Sequence, residues 1–285
     1  MAEHFPVIDT CFTIGVGPMV HFIAEEQLDE HMTRNGVDLQ IVYQPDESFF
    51  HRTPDWNPYL GNDYIAKIQK QFSGRVMGLA TIQAWHQAYH CDCGKEICPY
   101  GVDKTINHAM EELDRAILDL GLYGLRINPS QHNCPLDNRD ICWPLLRRVL
   151  ELQKITGRKM IISVYSYGDH IFNTPESVME TAREFPDLTF LMQHCGFVWG
   201  CGMLADTAAQ MENVFLDLSA MPQFDVVLAS IKRFGLRKLC IGTDGPYADY
   251  AMKMAIIDDY CHNTLERELI LGGNLAQYLG ITELK

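Results

Sequence analysis

Residues 124–164 read GLRINPSQHNCPLDNRDICWPLLRRVLELQKITGRKMIISV, and this stretch decides the fold. Gly124–Ile127 and Met160–Val164 are short runs that are apolar on both faces, as strands of a buried parallel sheet are. Between them, Trp143–Ile155 carries Leu146, Val149, Leu150 and Leu152 at helical spacing and stops before Gly157. The order is strand, helix, strand.

The same alternation extends in both directions. Further strands are predicted at Val7–Ile8, Leu39–Tyr43, Val76–Ala80, Thr189–Met192, Val214–Leu218 and Leu239–Ile241. Helices are predicted over Ile23–Arg34, closed by Asn35-Gly36, and over Lys104–Leu120, closed by Gly121. Another starts at Thr174-Pro175, an N-cap followed by a proline in the first turn, and one more covers Asp225–Phe234. Eight strands alternating with helices, without a break in composition, predict an α/β protein: a (β/α)8 TIM barrel in one domain, 1–285. A doubly wound open sheet is the alternative. It calls for a G-x-G-x-x-G loop after the first strand, and Cys11–Pro18 offers only Gly15 and Gly17.

At 285 residues the chain can bury a full core without disulfide staples. Its formal charge of −14 repels phosphate backbones, which argues against nucleic acid and anionic membranes as partners. No apolar run reaches the ~18 residues of a membrane span, and the first residues, MAEHFPVIDTCFTIG, lack the pattern of a signal peptide. The ten cysteines are therefore expected to be reduced thiols of a cytoplasmic protein. A small-molecule substrate is the expected partner, and a homo-oligomer fits a barrel of this kind.

Two long connections, 44–61 and 83–102, follow the second and third strands and are expected to cover the mouth of the barrel. The first holds Phe49, Phe50, His51, Trp56 and Tyr59; the second holds Trp85, His86, His90 and the C-x-C-x4-C set Cys91, Cys93 and Cys98. Those three thiols are read as reduced loop cysteines, with a zinc-clipped lid or a redox-labile pair as alternatives. Trp85 and His86 are candidate substrate contacts for a planar group.

Barrel chemistry sits at the C-terminal ends of the strands. Those ends offer Cys11 and Thr13, Gln44, Gln83, Arg126 and Asn128, Tyr165, His194 and Cys195, Ser219 and Asp244. Asp244 ends the apolar run Ile241-Gly242-Thr243 and is read as a metal ligand or general base, or else as a cap for the next segment. His194 is read as a ligand or acid/base group, or as a buried histidine satisfied by a carbonyl. Arg126 suits bidentate recognition of a carboxylate, with Tyr165 beside it as a substrate contact, or else an internal ion pair with Asp217 or Asp9. Asp9 lies before its strand end and is read as structural.

Five motifs occur in order: Val7-Ile8-Asp9-Thr10; Phe185-Pro186-Asp187-Leu188 through His194-Cys195-Gly196; Asn213 through Ser219; Ile241-Gly242-Thr243-Asp244; and Leu271-Gly272-Gly273-Asn274-Leu275. Together they resemble the amidohydrolase superfamily, in the branch that includes aminocarboxymuconate-semialdehyde decarboxylase. The resemblance implies a metal-dependent-hydrolase-like barrel that hydrolyses or decarboxylates a small carboxylate, amide, ester or lactone, often through one divalent metal. This chain departs from the pattern at two places. The family's His-x-His is Cys11-Phe12-Thr13 here, and where its strand 5 histidine should fall, at Val164–Tyr165, neither residue can replace it. Three outcomes remain open. Cys11 with His194 and Asp244 forms a zinc site; Asp244 and His194 share proton work without metal while Arg126 holds an oxygen; or Cys11 is a nucleophile activated by His194. A catalytically inactive barrel that binds a metabolite or a partner protein is the rival reading.

Overall fold

The computed structural model describes residues 5–16, 21–44, 58–82, 84, 108–132, 134–196, 210–220, 237–261 and 263–281. Trp85, His86, Cys91, Cys93, Cys98, most of the two long connections and the helix expected over 225–234 lie outside the described residues.

Eight parallel strands form the barrel. They are β1 (Ile8–Thr13), β2 (Leu39–Tyr43), β3 (Val76–Gly78, resuming at Ala80–Thr81), β4 (Gly124–Ile127), β5 (Ile161–Tyr165), β6 (Thr189–Gln193), β7 (Val214–Asp217) and β8 (Leu239–Cys240). Each pairs in parallel with the next. The ring closes where Thr10 N donates to Ile241 O at 3.0 Å and Thr13 N to Gly245 O at 2.7 Å. The expected (β/α)8 barrel is the observed fold.

Strand alternation divides the core in two. Ile8, Leu39, Ile41, Ile161, Leu191 and Phe215 pack together in one cluster inside the ring, while Val42, Leu125, Ile127, Ile162, Val164 and Phe190 join the larger cluster that includes helix residues. Among those helix residues are Leu28 and Met32 of α1 (Ala24–Asn35), Ile65 and Ile68 of α2 (Pro58–Gln71), and Leu113 of α3 (His108–Asp114). The four-residue α4 (Pro129–His132) precedes α5 (Cys142–Thr156), which adds Leu146, Val149 and Leu152 to this cluster. Gly157 takes φ 65° at the C-cap of α5, a left-handed conformation in which glycine has no Cβ penalty. α6 (Pro175–Glu184) and α7 (Tyr250–Tyr260) follow β5 and β8.

Two boundaries differ from expectation, and one strand is irregular. β1 runs to Thr13 rather than stopping at Ile8, because its polar residues Asp9, Thr10 and Thr13 are buried and hydrogen-bonded across the closing seam. β1 also shifts register against β2 between Asp9 and Phe12, a bulge of the kind found at barrel rims. Finally, α3 does not continue as a regular helix to Leu120 but widens into a π turn over Arg115–Asp119. The guanidinium of Arg158 satisfies carbonyls around this turn, taking Gly121 O at 3.1 Å and Ile117 O at 3.3 Å.

Candidate metal and substrate site at the barrel mouth

The strand ends bring Cys11, His194 and Asp244 together. Each offers one ligand atom, and these atoms all lie within 4.8 Å of one another. Cys11 is fully buried inside the ring, His194 is buried, and Asp244 is half-buried at the mouth. The backbone turns left-handed as β6 and β8 end, with φ 60° at His194 and 61° at Asp244. Such conformations are uncommon outside glycine and cost of order 1 kcal/mol each, so the surrounding structure has to hold them.

The hydrogen bonds do that holding. Asp9 Oδ1 accepts from Cys11 N at 3.2 Å and from Thr243 N at 2.9 Å, while its Oδ2 accepts from Thr243 Oγ1 at 2.6 Å. Asp9 thus fastens the bulge that aims Cys11 to the residue before Asp244, as the structural reading of Asp9 requires. Asp217 takes Thr10 Oγ1 at 2.6 Å and Ser219 N at 2.6 Å. Ser219 in turn meets His194 Nδ1 with its hydroxyl at 2.9 Å and with its carbonyl oxygen at 3.2 Å. A carbonyl oxygen can only accept, so Nδ1 carries the proton and Nε2 keeps its lone pair. Cys11 Sγ lies 3.1 Å from Tyr43 Oη and 3.8 Å from Asp244 Oδ1, and Gln193 Nε2 donates to Tyr43 Oη at 3.1 Å.

Burial sets the protonation of these groups. It pushes the His194 pKa down to about 3, so the ring is neutral and free to act as a ligand. Burial first, and then the charge of Asp217, raise Asp244 to about 7, against the pull of Arg126. Burial with Asp217 and Asp244 pushes the Cys11 thiol well above its usual range. Without an ion the thiol holds its proton, and an imidazole of such low basicity, tied to Ser219 through Nδ1, is a poor base to remove it.

Arg126 is 6% exposed, and its guanidinium carbon sits 4.9 Å from the centroid of the Tyr43 ring and 5.6 Å from that of Tyr165. The internal ion pair with Asp9 or Asp217 does not form, because both carboxylates are engaged along the seam; among the described residues Arg126 has no ion pair. Its Nη1 donates to Ile127 O at 2.6 Å, and its Nε has no partner. Thr81, Arg126 and Ser163 are register partners on β3, β4 and β5, so they share one face of the sheet. Among the described residues, Thr81 Oγ1, Arg126 Nε and Ser163 Oγ are all buried without a hydrogen bond. Beside them, Tyr165 and Tyr167 stack at 6.0 Å, and both meet the His194 ring edge-on, at 4.9 and 5.4 Å.

The sequence reading missed Tyr43, Gln193, Thr81 and Ser163. Tyr43 had a signal, being the last residue of an apolar run whose end was placed one residue later, at Gln44. It also missed Lys253 on α7, which is 3% exposed and donates to Leu218 O at 3.1 Å. Burial lowers the Lys253 pKa, against the pull of Asp217 and Asp244.

A barrel that gathers a thiol, an imidazole and a carboxylate at its C-terminal mouth is a metal-dependent-hydrolase type of structure. The chain belongs to the amidohydrolase family, whose sequence profile matches residues 60–281. Among solved structures it is similar to 2,6-dihydroxybenzoate decarboxylase from Rhizobium, with a TM-score of 0.70, 13% identity, and coverage of 99% of this chain and 100% of that one. It is similar to 5-carboxyvanillate decarboxylase from Sphingomonas paucimobilis, with a TM-score of 0.64, 16% identity, and coverage of 97% and 99%. A dihydroxybenzoic acid decarboxylase from a Polaromonas species, holding manganese and the inhibitor 2-nitroresorcinol, gives a TM-score of 0.65, 13% identity, and coverage of 99% and 98%. A search of curated proteins finds no match.

Proposed function

We propose that this protein is a carbon–carbon lyase that decarboxylates a small aromatic carboxylate with the help of one divalent cation. One observation carries the reading: a buried arginine without an ion pair among the described residues stands in a row with two unpartnered hydroxyls. An uncompensated buried cation is costly, and an incoming carboxylate relieves that cost while matching the planar guanidinium fork. Tyr165 and Tyr167 suit a planar ring beside that carboxylate. The decarboxylase neighbours support the reading with the same substrate class.

Cys11, His194 and Asp244 fit a cation in number and in chemistry, since three protein ligands leave one position open for a small molecule. The Polaromonas neighbour holds manganese; here the thiol favours zinc, because thiolate is a soft ligand. A cation in this place would polarise a substrate oxygen. Of the chain's own groups, Cys11 and Asp244 would hold the ion in their deprotonated forms and His194 as the neutral ring it already is. Arg126 grips the carboxylate, the two tyrosines orient the ring, and the bond to carbon dioxide breaks with its electron pair left on the ring carbon, which takes its proton from solvent water. We place the protein in the cytoplasm as a single domain over 1–285, consistent with the free thiols of its six described cysteines.

The test is carbon dioxide release from a panel of hydroxylated benzoates, with zinc or manganese supplied to the purified protein. Turnover that needs the ion is expected. About one zinc per chain is expected by metal analysis, with loss of that zinc in Cys11→Ser. If the metal-loaded protein turns over none of the panel, and Arg126→Met binds the same carboxylates as tightly as the parent, the reading falls and the non-catalytic barrel replaces it.

A further inference from the structure

The connection that leaves β4 carries two thiols outside the mouth chemistry. Cys134 Sγ and Cys142 Sγ lie 3.7 Å apart, and both point at one acceptor, Pro135 O, at 3.6 and 3.5 Å. Their backbones are fixed: Cys134 N donates to Pro129 O at 3.1 Å, and Cys142 N donates to Asn138 O at 3.0 Å. The turn between them is pinned by Asn138, whose Oδ1 accepts from Asp140 N and Ile141 N at 3.0 and 2.9 Å. A disulfide is about 2.05 Å long, so the sulfurs need to close by less than 2 Å, a movement within reach of side-chain rotation. Both cysteines are buried, under a turn whose Pro135, Asp137 and Asn138 are only half-buried.

We propose that Cys134 and Cys142 are a thiol–disulfide site, oxidised by hydrogen peroxide to a bond that ties the β4 connection to the first turn of α5. The Cys134 thiolate attacks peroxide, giving a sulfenic acid and hydroxide; the Cys142 sulfur then displaces the sulfenic oxygen, which leaves as water. In sum, two thiols and one peroxide give one disulfide and two waters, with sulfur oxidised and peroxide oxygen reduced. The pair is asymmetric in the required sense. Either sulfur can donate to the other; when Cys142 donates, the bond lowers the pKa of Cys134 and raises that of Cys142, so one thiol attacks and the other resolves. Cys11 and Cys240, fully buried and next to carboxylates, are held in the unreactive thiol form.

Arg139 lies between the two cysteines, so trypsin separates residues 127–139 from 140–147 unless the disulfide holds them together. Full-length folded protein is treated with peroxide, quenched, alkylated and digested. The expected product is the linked pair of these two peptides, about tenfold or more above any other disulfide among the described cysteines, and abolished by a reductant. It is absent from Cys134→Ser, and Cys142→Ser serves as the second variant should the first not fold. Full alkylation of both thiols, in a sample whose methionines have been oxidised, overturns the proposal. So does an equal yield of the linked pair from urea-unfolded protein, which would assign it to chain proximity rather than to the fold.

Discussion

The two sides of the barrel mouth are built differently. On the side where β7, β8 and β1 meet, Asp9 and Asp217 are saturated: Asp9 by Cys11 and by the backbone and hydroxyl of Thr243, Asp217 by Thr10 and Ser219. On the side formed by β3 to β6, Thr81 Oγ1, Arg126 Nε, Ser163 Oγ and Gln193 Oε1 are buried with no hydrogen bond among the described residues. Unmet polar groups in a dry interior are expensive, so a fold retains them where something else is to meet them. The first side fixes geometry; under the proposed function the second meets the substrate. Substitutions on the first side should therefore cost stability, and those on the second should cost function.

The largest effect is expected where the closed side has no room. A Cβ added to Gly242 would stand 2.5 Å from both carboxylate oxygens of Asp217. Gly242→Ala displaces a buried carboxylate and, through Ser219, the imidazole of His194. A stability loss of about 3 kcal/mol or more is expected in denaturant unfolding. A loss below ~1 kcal/mol would mean that the saturated side is softer than its hydrogen bonds indicate.

The pH dependence of stability probes the same side. Burial raises the Asp9 pKa from 3.8 to about 6, outweighing its hydrogen bonds from Thr243, Gln40 and Cys11. The folded protein thus binds this proton more tightly than the unfolded chain does. The Asp9 contribution to stability is full below the unfolded value and is lost as pH rises through the folded one. Between pH ~4 and ~6 the loss is on the order of 3 kcal/mol. Unfolding free energies measured across that window should fall with pH in the parent and fall less in Asp9→Asn. Equal slopes would show that another group carries the dependence.

Much of this contrast was legible in the chain, and the illegible part has one cause. Apolar runs alone located all eight strands, and for Gly124–Ile127 they located both ends, because those strands face neighbours on both sides and leave no place for solvated residues. Cys11, His194 and Asp244 were among the residues read off the strand ends, and the family resemblance joined them as one ligand set. β1 was cut short because Asp9, Thr10 and Thr13 look like the end of an apolar run; their partners, Asp217, Ile241, Thr243 and Gly245, lie more than 200 positions away. Thr81 and Ser163 were invisible for the opposite reason. A small hydroxyl inside a strand is ordinary in sequence, and only the parallel register sets both beside Arg126.

On the open side, Arg126→Met is expected to lower kcat/KM for a carboxylate substrate about 100-fold, since it removes the partner of a buried charge pair. Stability is expected to hold or rise, because the substitution also removes a buried cation without an ion pair among the described residues. That combination, function lost and stability kept, separates this side from the seam. A stability loss of ~3 kcal/mol would place Arg126 with the structural residues instead.

The smallest effect tests the join between the two sides. Ser219 is the partner that orients His194, and removing an outer partner of a ligand histidine typically weakens metal binding about 10- to 100-fold. Ser219→Ala deletes the hydroxyl at 2.9 Å but keeps the carbonyl at 3.2 Å, so Nδ1 retains an acceptor and the low end is expected, about tenfold by zinc titration. The fold should tolerate the change, because the Ser219 backbone bond to Asp217 stays. Unchanged zinc affinity would mean that the carbonyl alone sets the imidazole, and that the seam reaches the metal ligands through its backbone rather than through the Ser219 side chain.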